Sequence, residues 1–101
     1  MTIPGIPEQA SREVLEVLQT VDGLRRVVLF GSRAKGTFRL GSDIDLCLEA
    51  DSLDFSELVN LENKLDDLML PWRFDVAVRD QITNSELLEH IDRVGVSILP
   101  C

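Results

Sequence analysis

Asp43 and Asp45 stand two residues apart in the run SDIDL, and Asp75 stands alone in RFDVAVR, so three carboxylates fall in or beside two strand-like segments. Aspartate is depleted in strands, and carboxylates projecting side by side repel each other unless a cation neutralises them. Three hard oxygen donors suit Mg²⁺ or Mn²⁺ rather than zinc. An isolated Asp-x-Asp pair is equally compatible with a solvated strand face, so its surroundings must decide. Those surroundings include Gly31-Ser32-Arg33-Ala34-Lys35-Gly36, a turn directly after the apolar run RVVLF. It is not a Walker A loop, because Lys35 precedes the second glycine and Thr37 follows it. A strand, a glycine permitting close backbone approach, then a hydroxyl and amides at a helix start make an anion site, although such a turn can also be plain punctuation. Only the twelve positions from Gly31 to Ser42 separate Phe30 from Asp43. The turn can therefore fold back and bring phosphate oxygens beside carboxylate-held metals, the arrangement of two-metal phosphoryl chemistry.

Hydrophobic periodicity supplies the elements that must position these residues. Residues 1 to 6 read as an extended lead-in, and Val14, Leu15, Val17, Leu18 and Val21 recur at helical spacing, predicting a helix from about Glu8 to Val21. Arg26 to Phe30 suits a buried strand, and Ser32 to Gly36 a short helical turn. From Asp43 to Glu49 the residues alternate, with Ile44, Leu46 and Leu48 on one face and both aspartates on the other. Asp54 with Glu57 predicts a capped helix whose Leu58, Leu61, Leu65 and Leu68 form an apolar stripe ending before Pro71. Arg73 to Arg79 reads as a strand with Asp75 and Ala77 on its second face. Thr83 with Glu86 predicts the cap of a last helix running to Gly95, and Val96 to Leu99 a final strand. The expected architecture is α/β (α+β): one domain over residues 1 to 101, with a small mixed sheet of about four strands flanked by helices.

A chain of 101 residues carrying 28% charged residues and a net charge of −8 is poorly suited to coating nucleic acid. The charge is unevenly spread. Between Gly23 and Ser42 lie Arg25, Arg26, Arg33, Lys35 and Arg39 and no acidic residue, leaving five basic residues against all eighteen acidic ones elsewhere. A basic island in an acidic chain points to a small anionic ligand. Cys47 and Cys101 have neither disulfide-framework nor metal-ligand spacing, and no signal peptide or membrane span is apparent, so a cytoplasmic setting is expected. His90 reads as a solvated residue and Trp72 as a strand-edge core residue.

The segment LFGSRAKGTFRLGSDIDL resembles the signature of the DNA polymerase beta nucleotidyltransferase superfamily, Gly-Ser-x-Ala-x-Gly followed by Ser-Asp-x-Asp-Leu. The short chain is similar to minimal nucleotidyltransferases, and the likeness extends from the preceding helix to Asp75 and the last helix. The resemblance implies that Gly31 and Ser32 contact the β- and γ-phosphates, with Arg33, Lys35 and Ser42 completing the nucleotide-binding set. It further implies that Asp43 and Asp45 bind two Mg²⁺ ions, Mn²⁺ being an alternative, that Asp75 completes the metal site, and that ATP is the substrate. Such proteins are too small to hold an acceptor, and many are antitoxins paired with a HEPN-domain toxin. Expected here is AMP transfer to a hydroxyl of that partner, such as a tyrosine, within a homo- or hetero-oligomer. Neutralisation by binding alone, and nucleotide sensing without transfer, are the alternatives.

Overall fold

The computed structural model describes residues 3–51 and 53–100; Cys101 lies outside them. Its centre is a four-stranded mixed sheet in the order β3-β2-β1-β4, formed by β1 (Leu24–Phe30), β2 (Ile44–Ala50), β3 (Phe74–Val78) and β4 (Val96–Leu99). β1 runs antiparallel to both β2 and β4, and β2 runs parallel to β3. The helices are α1 (Glu8–Leu18), a single turn α2 (Gly31–Lys35), α3 (Phe55–Asp66) and α4 (Ser85–Val94), with a 3₁₀ turn at Arg79–Gln81. Among the described residues, no helix is long and apolar enough to cross a membrane.

The two inner strands are apolar because both of their faces are covered. One face carries Val27, Leu29, Ile44, Leu46, Leu48 and Ile98 against Val14 and Leu18 of α1 and Leu61 and Leu65 of α3. The other carries Val28, Phe30 and Cys47 against Leu87 and Ile91 of α4. Alternation therefore sends Asp45 and, by parallel register, Asp75 to the α4 side of the sheet.

Several ends differ from the periodicity, each for a local reason. α1 stops at Leu18 rather than Val21, because Gln19 caps it and the Thr20 hydroxyl donates to the Val17 carbonyl at 2.7 Å. Ser85, rather than a residue after a Thr83 cap, opens α4: the Asn84 side chain accepts the Glu86 and Leu87 N–H groups at 2.9 and 3.2 Å. Residues 3 to 6 are not extended. Ile6 N–H donates to the Ile3 carbonyl at 3.0 Å, and both isoleucines are buried.

At α3 the Asp54 side chain accepts the Glu57 N–H at 2.8 Å, as its spacing predicts. This helix end is remote from the aspartates. Asp54→Ala is expected to lower stability by about 1 kcal/mol in denaturant unfolding.

Candidate active site

Register makes the first contact in the site. Asp45 lies opposite Phe30 on β1 and beside Asp75 on β3, so one row across three strands ends in two neighbouring carboxylates. Asp43 precedes the first residue of β2 and is exposed, so the ladder does not fix it, contrary to the strand expected from Asp43 onward. Asp75 is also exposed, on the outermost strand, whereas Asp45 is half-buried.

Burial, followed by the charges of Asp75 and then Asp43, pushes the Asp45 carboxyl from 3.8 up to about 6, while the Arg33 guanidinium pulls it the other way. Among the described residues, no three His, Cys, Asp or Glu side chains converge tightly enough to cage an ion. Asp45 nevertheless feels the charges of both other aspartates, and hard oxygen donors of this kind suit a divalent cation that would relieve the repulsion.

The glycine turn meets this carboxylate directly. Gly31 has φ +72°, and a Cβ there would collide with Asp45 Oδ2 and lie 3.0 Å from its Cγ. Glycine is required here both for the left-handed backbone and for the space that the aspartate fills. Ser32 is half-buried at the start of α2, and Gly36, with φ +81°, ends that turn.

The basic island divides three ways. Arg25 pairs with Asp51 at 3.1 Å and Arg26 with Glu49 at 3.6 Å. Lys35 and Arg39 are exposed and, among the described residues, make no ion pair. Arg33 is 1% exposed; its Nη2 and Nε donate to the Ser42 carbonyl at 2.8 and 3.3 Å, and Nη1 donates to that of Pro4 at 2.7 Å. Burial lowers its pKa, partly offset by Asp45. The Ser42 hydroxyl accepts the Arg39 N–H at 2.8 Å, closing the loop that leads into Asp43.

Two residues that the sequence passed over also serve this loop region. Trp72, half-buried as a strand-edge residue should be, donates its indole N–H to the Leu40 carbonyl at 3.1 Å. His90 is not simply solvated. Its Nε2 accepts the Gly31 N–H at 3.2 Å, and its ring meets Phe30 edge-on with centroids 6.2 Å apart. Nε2 must therefore be the unprotonated nitrogen. No local pattern marks His90, because its partner lies 59 residues away.

A cavity of about 410 Å³ lies elsewhere. Thr20, Asp22, Asp51, Glu57 and Lys64 are among its lining residues. Asp51 follows the far end of β2, about 20 Å along the strand from Asp45. Gly31, Asp43, Asp45 and Asp75 lie outside that lining.

A family model for "Polymerase beta, Nucleotidyltransferase" matches residues 12–100. The chain belongs to this nucleotidyltransferase family. Among solved structures, it is similar to a chain of a toxin–antitoxin complex crystallised with AMP-PNP, at 25% identity and TM-score 0.72 over 85% of this chain and 69% of the other. A chain of an MntA–HpeT toxin–antitoxin variant is 26% identical with TM-score 0.71, over 86% and 69%. A complex of tri-AMPylated Shewanella oneidensis HEPN toxin with MNT antitoxin shares the fold at 21% identity and TM-score 0.67, over 89% and 69%. Among curated proteins, the sequence search finds no match.

Two measurements check the arrangement of this candidate site without turnover. Because Asp45 titrates near 6 when folded against 3.8 unfolded, its contribution to stability declines as pH rises through that window and stays low above it. The stability difference between Asp45→Asn and wild type is expected to grow in the variant's favour from pH 4 to pH 6.5 in urea unfolding without added metal. His90→Leu is expected to cost about 1 kcal/mol for the lost acceptor, and His90→Gln to recover most of it, in thermal unfolding.

Proposed function

We propose that this nucleotidyltransferase moves AMP from ATP to a hydroxyl group of a HEPN-type toxin partner and so acts as its antitoxin. The single observation that carries the reading is the contact between Gly31 and Asp45, which presses a phosphate-binding turn against a carboxylate adjoining Asp75. The nucleotide and the partner come by similarity from relatives crystallised with AMP-PNP and as toxin–antitoxin complexes. ATP and the partner would be met in the cytoplasm, by residues 1 to 101 acting as one domain.

In this reading the Ser32 hydroxyl grips the β- and γ-phosphates, while Gly31, whose own N–H is held by His90, shapes the turn that presents it. Lys35 and Arg39, free of ion pairs among the described residues, lower the cost of bringing a polyanion to an acidic chain. Ser42 closes the loop before Asp43. Asp43, Asp45 and Asp75 would hold two Mg²⁺ ions, or Mn²⁺, and that pair supplies charge neutralisation at the attacking and leaving oxygens. Asp75, exposed on the outermost strand, is open to an incoming hydroxyl and receives its proton. The new bond joins that oxygen to the α-phosphorus, the bond from α-phosphorus to the bridging oxygen breaks, and pyrophosphate leaves.

The test is transfer of label from α-labelled ATP with Mg²⁺ to a co-expressed HEPN-domain protein, read by autoradiography and by intact mass. Label on the partner is expected, with Asp43→Asn combined with Asp45→Asn reducing it by at least about 100-fold. Label that persists in this double variant would refute the assignment. Toxin neutralisation that persists without label would leave masking as the mode of action.

A further inference from the structure

We propose that the N-terminal turn formed by residues 3 to 7 is a working part of the transfer site, acting through Arg33 as a positioning residue for Asp43. The inference rests on the reading of Asp43 and Asp45 as the metal-binding pair. It starts from a gap in the fold: Asp43 is tied down at its far peptide, where the Ile44 N–H donates to the Arg73 carbonyl at 2.8 Å, but its near side lies ahead of β2, whereas its neighbour Asp45 is fixed by strands on both sides.

Arg33 fills that gap. Two of its nitrogens converge on the Ser42 carbonyl, at 2.8 and 3.3 Å. The Ser42 carbonyl and the Asp43 nitrogen belong to one planar peptide unit, so holding the oxygen orients the chain where Asp43 begins. The third contact of the fork, at 2.7 Å, reaches the Pro4 carbonyl from a segment lying ahead of the family match at 12–100.

The segment is built to present that carbonyl. Ile3 and Ile6 are buried, and Ile3 N–H donates to the buried Ser11 hydroxyl at 3.0 Å. Gly5, with φ +78°, lies so close that a Cβ would collide with the Phe38 ring and come within 2.8 Å of Arg33 Nη1. Phe38 in turn faces the guanidinium, with 5.1 Å from the Arg33 Cζ to the ring centroid. The fork is thus clamped between the turn, an aromatic ring and the loop. Lysine cannot reproduce a planar fork that serves two carbonyls and an aromatic face together. An arginine so enclosed is a brace between chain segments, and the nearby Asp45 carboxylate offsets the burial of its charge.

The experiment compares wild type with Arg33→Lys, Gly5→Ala and Phe38→Leu, using Asp54→Ala as a variant destabilised elsewhere. Mn²⁺ binding is followed by electron paramagnetic resonance with AMP-PNP present, well below each melting temperature. KM and kcat are measured across a Mg²⁺ series. Arg33→Lys and Gly5→Ala are each expected to weaken Mn²⁺ binding by about tenfold, with Phe38→Leu smaller in the same direction. The KM for ATP at saturating Mg²⁺ should change by less than about threefold, and kcat should recover as Mg²⁺ is raised. Asp54→Ala should leave the metal response at the wild-type value. Melting temperatures that fall while Mn²⁺ affinity holds would overturn the proposal and leave a purely structural brace. A raised KM for ATP in Arg33→Lys alone, with Gly5→Ala silent, would overturn it in favour of direct phosphate contact. Wild-type protein that binds no Mn²⁺ would overturn both this inference and the functional reading, whereas wild-type transfer with indifferent variants overturns this inference only.

Discussion

A half-buried carboxylate held beside two others is the constraint around which the molecule is arranged. Asp45 cannot move away from Asp75, because parallel register between β2 and β3 sets them side by side. It cannot turn into the core, because the opposite face of the sheet is filled by Leu46, Leu48 and their partners on α1 and α3. Its carboxyl is therefore held up near 6, in a state where a cation would be favourable. The molecule places destabilising charge where a ligand can relieve it, as functional sites commonly do.

The rest of the site follows from the space around that carboxylate. A residue with a side chain at position 31 would displace it, so the turn is glycine. As the first residue of α2, Gly31 has an amide with no acceptor inside the turn, and α4 supplies one through His90. The loop from Gly36 to Asp43 contains no strand or helix, yet its carbonyls at Leu40 and Ser42 are held by Trp72 and Arg33. Secondary structure positions one of the three aspartates on both sides, and side-chain hydrogen bonds to backbone carbonyls position the loop before another.

Local chemistry is what the sequence made legible. Alternation in IDLCLEA and FDVAV gave the faces of both strands, and glycine followed by a hydroxyl marked the turn. The Asp54 cap was readable because it acts across three residues. Strand order was not readable, since nothing in the chain distinguishes β4 beside β1 from β4 at another edge. Arg33 is the clearest case of a residue whose type was read correctly and whose surroundings were not. A basic residue between two glycines reads as a phosphate ligand, and only the folding back of residues 3 to 7 encloses it against carbonyls instead. The same segment looked extended because Pro4, Gly5 and Pro7 suppress helical periodicity, whereas its two isoleucines are what bury it.

The two faces of the sheet divide the work, and that division explains why the site is open. The face under α1 and α3 carries most of the buried aliphatic side chains and hence most of the apolar burial that stabilises the fold. The face under α4 has a smaller cluster, Val28, Phe30, Cys47 and Ile91, and beyond Phe30 the row passes from apolar to acidic within one strand spacing. Covering that row with a further apolar element would bury Asp45 and Asp75 without partners, which costs more than the added contacts return. Asp75 is accordingly left exposed and Asp45 only half-buried. The exposure of Asp75 also leaves the β3 side accessible to a second macromolecule.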